Sequence, residues 1–140
     1  MFFGGTQGEY VNQLKDQIAK YGLDERIIFE DFVTPSQALS LSDITVLPSL
    51  KEGFGIVSIE SFLMKIPHIR TKTAGYEDIK DGCIGFEVGD CTALSAELEK
   101  FIDGEDYSVL IDRAYRLLIE KCTLESMAKQ ILRVYSEACD

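Results

Sequence analysis

Apolar positions along the chain follow two alternating periods, and each change of period marks an element. "MFF" reads as the end of a strand entering a Gly4–Gly5 turn, and "EYVNQLKDQIAKYG" places Val11, Leu14 and Ile18 at helical spacing before a capping Gly22. "RIIFEDFV" reads as a short buried strand with its exit loop, and "TPSQALSLS" as a short helix capped by Thr34 with Pro35 in its first position. The β-branched run "DITVLPS", stopped by Pro48, is the clearest strand. After it come a buried helix in "GIVSIESFLMK", a strand in "PHIRT" and a Gly-bounded strand in "GCIGFEVGD". Three helical segments close the chain: "TALSAELEKFID", "DYSVLIDRAYRLLIEK" and "TLESMAKQILRVYSEA", the last with Thr123 and Ser126 near its start. Strand and helix in alternation predict parallel strands with helices on the faces, a doubly wound α/β fold. Ligands of such sheets bind beyond the carboxyl ends of the strands, which singles out the segment following "TVLPS".

Composition narrows the class. The 140 residues fit one domain spanning 1–140, and a 46% hydrophobic, 27% charged chain with three prolines has the content of an ordered globular protein. The formal charge of −10 opposes long-range attraction to nucleic acid or anionic lipid, so any anionic ligand must be held locally. No apolar run approaches the ~18 residues of a membrane helix and the N-terminus lacks a basic leader, which gives a cytoplasmic expectation. Cys83, Cys91, Cys122 and Cys139 show no paired spacing and His68 is the sole histidine, so no zinc set is expected and the thiols read as free.

The chemistry concentrates in "PSLKEGFGIVSIES", residues 48–61. If a helix starts near Gly55, Gly53 and Gly55 allow close backbone approach, and the amides of Phe54, Gly55, Ile56 and Val57 form an anion site at the helix N-terminus. Glu52 then lies in the loop, and Glu60 lies inside the helix with a side chain leaning back toward its start. Carboxylates accept paired hydroxyls, so the two would grip sugars on either side of a diphosphate. The same spacing also fits a solvated loop charge and an ordinary helix-face glutamate.

At these residues the sequence resembles the C-terminal, nucleotide-sugar-binding domain of the group 1, or family 4, retaining glycosyltransferases of GT-B architecture. Their pattern "PS-x-x-EGFG-x-x-x-x-E" is met by Pro48, Ser49, Glu52, Gly53, Phe54, Gly55 and Glu60, and the resemblance runs in order through "RIIFEDFV", "LSDITVLPS" and "DGCIGFEV". It implies a Rossmann-like, mostly parallel sheet that lacks the family's first strand and helix of this domain. By the same resemblance Glu52 would act on the donor hexose, the backbone at Gly53, Phe54, Gly55 and Ile56 would meet sugar and diphosphate, Glu60 would hold the ribose, and Phe32 and Val33 would face the base. The donor would be a UDP- or GDP-hexose, with no cofactor and no metal. The acceptor would be a glycan or glycolipid in polysaccharide or glycolipid synthesis, with the full enzyme peripheral at the membrane. The family's Arg and Lys that clamp the diphosphate precede the first residue here, as does its N-terminal half. The chain therefore reads as a trailing part, or as a split or decayed enzyme, needing such a half or self-association; a non-catalytic nucleotide-sugar-binding module and a bare scaffold are the other readings.

The departures are local. Lys65 stands where the family caps its helix with Gly, and His68 where Val is usual, as a tolerated strand residue. Arg70 and Lys72, near the carboxyl end of "PHIRT", read as surface charge, with partial replacement of the missing diphosphate cations as the other reading, and Glu77 and Asp78 compete for one acidic family position. The apolar stripes of the last two helices, with Leu110, Ala114, Leu117 and Leu118, then Met127, Ile131 and Val134, read as core or docking face.

Overall fold

A computed structural model describes residues 1–3 and 6–139, so the Gly4–Gly5 turn lies outside the described residues. The chain divides into two compact units, residues 1–41 and 42–140.

In the first unit strand β1 (Phe2–Phe3) pairs in parallel with β2 (Phe29–Glu30). Helix α1 (Glu9–Lys20) stops where the sequence predicted: Gly22 takes a left-handed φ of 65°, and the amides of Gly22 and Leu23 close back on the carbonyls of Ala19 and Ile18. Helix α2 (Pro35–Ser40) starts with Thr34 as its cap. The box is reciprocal, because the Gln37 amide donates to Thr34 Oγ1 while the Thr34 amide donates to Gln37 Oε1 at 3.0 Å.

The second unit holds a parallel sheet of order β3-β4-β5, formed by Thr45–Leu47, His68–Thr71 and Ile84–Phe86. Helix α3 (Ile56–Leu63) joins β3 to β4, and α4 (Tyr76–Ile79) with a 3₁₀ turn (Lys80–Gly82) joins β4 to β5. Helices α5 (Cys91–Ile102), α6 (Ser108–Lys121) and α7 (Leu124–Cys139) follow. These elements agree with the α/β reading, although the strands are shorter than the apolar runs that announce them. All four residues of β4 are buried, as expected for the middle of a sheet covered on both faces.

The core gathers Phe62 of α3, Ile79 of α4, Cys83, and Ala114, Leu117 and Leu118 of α6, with Ile59, Tyr76 and Cys122 packed around it. Gly82 lets α6 approach: a Cβ there would lie 2.9 Å from Ala114 Cα and 3.0 Å from the Phe62 ring. The apolar stripe of α6 is thus core. That of α7 is not, since Met127, Ile131 and Val134 are all exposed and no α7 residue is buried. Thr123 Oγ1 accepts the Ser126 amide at 3.2 Å and so starts α7. All four cysteines are free thiols. Among the described residues no helix is long and apolar enough to cross a membrane.

Candidate functional site

Residues 48–55 leave the carboxyl end of β3 and lead into α3. Several anchors hold this loop. Thr71 Oγ1, at the end of β4, donates to the Ser49 carbonyl at 2.7 Å, and Ser49 Oγ donates to Glu52 Oε1 at 2.6 Å. Gly55 turns the chain with a left-handed φ of 81°, and a Cβ there would sit 3.0 Å from Leu47 Cδ2 and 3.1 Å from Arg70 Nη1. Only glycine fits that corner. Gly75, also left-handed, lies flat on Phe54, where a Cβ would come within 2.8 Å of the Phe54 carbonyl oxygen.

Gly53 differs from both. A Cβ there meets nothing within 4 Å and its φ lies outside the left-handed region, so no contact or strain within the chain calls for glycine. What its hydrogen leaves is an open backbone face beside Glu52.

Helix α3 begins at Gly55 with no side-chain cap. The amides of its first turn, at Ile56 and Val57, have no carbonyl one turn back to reach and carry the positive end of the helix dipole. Glu60 stands on the next turn, half-buried, and its carboxylate has no partner among the described residues. Glu52, Gly53, Phe54, Gly55, Ile56 and Glu60 therefore belong to one strand, loop and helix. Phe32 and Val33 lie in the first unit after β2, both exposed, Phe32 at 85%.

Arg70 corrects the sequence reading. It is not surface charge but a fully buried residue of β4, at 0% exposure. Its Nη1 donates to the Phe54 carbonyl at 2.9 Å and to Ser58 Oγ at 3.3 Å, its Nη2 to the Ala74 carbonyl at 3.0 Å and to Thr73 Oγ1 at 3.4 Å, and its Nε to the Thr71 carbonyl at 3.4 Å. The guanidinium thus fastens the 48–55 loop to the 73–75 turn. Lys72 does lie at the surface, half-exposed and paired with Glu87 at 2.7 Å. Glu77 and Asp78 are both exposed on α4, Glu77 paired with Lys80 at 2.8 Å.

His68 belongs to the same buried network. Its Nδ1 is 2.8 Å from Thr45 Oγ1 and its Nε2 2.8 Å from Ser58 Oγ. Ser61 Oγ donates to the Val57 carbonyl, so Thr45 Oγ1 donates to Ser61 and accepts from the ring, which assigns the ring proton to Nδ1 and leaves Nε2 to accept from Ser58. Burial first, and the Arg70 charge second, lower the His68 pKa from 6.5 to about 3, so the ring is neutral. It is a satisfied strand residue.

Lys65 takes the place of the expected Gly and adopts the same left-handed turn, with φ 56°. Its amide closes on the Phe62 carbonyl and that of Ile66 on Ser61, the arrangement that ends α1 at Gly22. The ammonium lies 4.9 Å from the centre of the Tyr115 ring, a contact glycine could not make.

The residues that sequence reasoning missed as site supports are Arg70, Thr71 and Ser58. A signal was present, in an arginine inside the apolar strand "PHIRT" and a serine one turn after Gly55 in an otherwise apolar helix.

The sequence pattern described as glycosyl transferases group 1 matches residues 1–118. N-acetyl-alpha-D-glucosaminyl L-malate synthase of Bacillus anthracis is 29% identical over 120 residues, 81% of this chain and 31% of that protein. The capsular polysaccharide biosynthesis glycosyltransferase CapM of Staphylococcus aureus is 36% identical over 56% of this chain and 21% of its own length. The chain thus spans less than a third of either relative. Among solved structures, Anabaena HepE, in complex with UDP and glucose, superposes with a TM-score of 0.81 at 21% identity, covering 92% of this chain and 37% of that one. The C-terminal domain of a group 1 family protein, LpcC from Francisella tularensis, gives 0.71 at 25% identity, over 83% of this chain and 64% of that one. These likenesses agree with a Rossmann-like α/β fold of the GT-B kind.

Proposed function

The chain belongs to the group 1 glycosyl transferases, and from that membership we propose that it forms the donor-binding part of a retaining glycosyltransferase that moves a hexose from a UDP- or GDP-sugar to a glycan or glycolipid. One observation carries the reading: two carboxylates, Glu52 and Glu60, flank an uncapped helix start and an open Gly53 at the carboxyl end of a parallel sheet. The amides of Ile56 and Val57 meet the diphosphate, the unpaired Glu60 carboxylate takes the ribose hydroxyls, and Glu52 takes hydroxyls of the hexose. Charge building on the leaving diphosphate is met by backbone dipoles already in place, the kind of term that dominates many active sites, and no metal is needed to supply it. The solved complex of HepE with UDP and glucose supports this ligand class. Acceptor binding and full turnover belong to a cleft completed by an N-terminal half, because proximity of donor and acceptor is what such a cleft provides.

A second reading, a nucleotide-sugar-binding module that completes a partner chain, draws on the exposed apolar face of α7. It predicts self-association or co-purification with a partner.

The test is the thermal unfolding midpoint with UDP, GDP and their hexose conjugates added in turn. A ligand at about 100 times its dissociation constant adds ~2.7 kcal/mol, a shift of several degrees. A shift from one nucleotide that Glu60→Ala removes supports the donor site and names the base. A cooperatively unfolding chain that responds to none refutes it.

A further inference from the structure

Arg70 presents a charge that the chain does not neutralise. All five of its N–H groups are met, but by three carbonyls and two hydroxyls, and none of the ion pairs among the described residues includes it. A fully buried cation without a carboxylate is costly even when its hydrogen bonds are complete, because hydrogen bonding to neutral acceptors leaves the net charge in place. The field of that charge is also screened far less than at the surface.

The charge has a definite position. Nη1 lies 3.1 Å from where a Cβ would stand on Gly55 and donates to the carbonyl of Phe54 and the hydroxyl of Ser58, so it sits directly behind the first turn of α3. The guanidinium cannot touch a ligand there, since every donor is occupied. It acts through the backbone it holds and through its field, in line with the helix dipole. In a chain of formal charge −10, this is a local positive point built into the wall of the proposed site.

We propose that Arg70 is a positioning residue of the donor site: it fastens the 48–55 loop to the 73–75 turn and supplies, from behind the α3 N-terminus, the charge that makes the site select a diphosphate over an uncharged nucleoside. The proposal rests on the donor-site reading above.

The test is calorimetric titration of the full chain with UDP and with uridine, for the wild type, Arg70→Gln and Arg70→Lys. Loss of the charge should narrow the preference for UDP over uridine by about tenfold, equivalent to ~1.4 kcal/mol. Arg70→Lys keeps the charge and loses most of the fastening, so it should unfold at lower temperature yet recover the wild-type preference to within about threefold. A purely structural role would weaken UDP and uridine alike in both variants, and that result overturns the proposal. So does a wild-type preference that survives Arg70→Gln. If the wild type binds GDP but not UDP, the same comparison is made with GDP and guanosine; if it binds neither diphosphate, the donor-site reading fails and this inference falls with it. Should Arg70→Gln not fold, the buried Nε–H of Arg70 in the wild type gives a second readout by ¹⁵N resonance. It should shift with UDP and with pyrophosphate but not with uridine, and the absence of a shift with pyrophosphate overturns the proposal.

Discussion

Acid should weaken this protein through one residue. His68 titrates at about 3 in the folded chain against 6.5 when exposed, so below 6.5 the unfolded chain takes up a proton that the folded chain refuses. The contribution of the neutral ring is fully present above pH 6.5 and is lost as pH falls toward 3. One proton changes stability by about 1.36 kcal/mol per pH unit, so the 1.5 units from 6.5 to 5 remove about 2 kcal/mol. His68 is the sole histidine, so a variant lacking it isolates its share of the pH dependence. The chain has no tryptophan, so urea unfolding followed by far-ultraviolet circular dichroism at pH 5, 6 and 7.5 is the assay. The midpoint should fall with acid at constant slope. His68→Val removes the titrating ring and should flatten the dependence, whatever it does to stability at pH 7.5. A wild-type loss below ~0.5 kcal/mol, or an equal loss in His68→Val, would refute the buried neutral histidine.

Substitutions at three positions probe the backbone and core. Lys65→Gly and Lys65→Ala both delete the Tyr115 contact and differ only in the left-handed turn, so the glycine variant should be the more stable by about 1 kcal/mol; equal urea midpoints would refute the strain at φ 56°. Gly75→Ala brings a methyl within 2.8 Å of the Phe54 carbonyl at a left-handed φ and should cost at least ~2 kcal/mol in the same assay; a loss within ~0.5 kcal/mol of zero would show the loop to be yielding. The hydroxyl of Tyr107 is buried without a partner among the described residues, so Tyr107→Phe should leave stability unchanged or raise it by up to ~1 kcal/mol; a clear loss of stability would mean the hydroxyl is satisfied in solution.

The sequence announced those parts whose causes are local. Thr34 and Pro35 start α2, Gly22 ends α1, and the span from Pro48 to Glu60 becomes a strand exit, loop and helix because Pro48 and Gly55 decide backbone shape within a few residues. Lys65 was legible as the occupant of a glycine position, and its left-handed φ follows from the same closing hydrogen bonds. Arg70 was not legible as buried, because hydrophobic pattern ranks arginine as exposed and says nothing of the carbonyl supplied by Phe54, on a loop before the preceding helix. The exposure of α7 also escaped the pattern, since a core stripe and an uncovered one share a periodicity and only the packing of α6 separates them. The sixfold grouping from Glu52 to Glu60 follows from chain proximity; the placing of Phe32 and Val33 rests on resemblance.

The fastening of the 48–55 loop bears on how fast a ligand could be captured. Its carbonyls at Ser49 and Phe54 are held by β4, and Gly75 closes on Phe54, before any ligand arrives. Immobilising a free loop costs about 1–2 kcal/mol per residue in conformational entropy, and here that cost is met when the chain folds. Capture then needs no rearrangement of these residues, only release of water from the first-turn amides. Encounter should accordingly follow a single bimolecular phase whose rate rises linearly with ligand concentration, with no plateau from a slow loop closure.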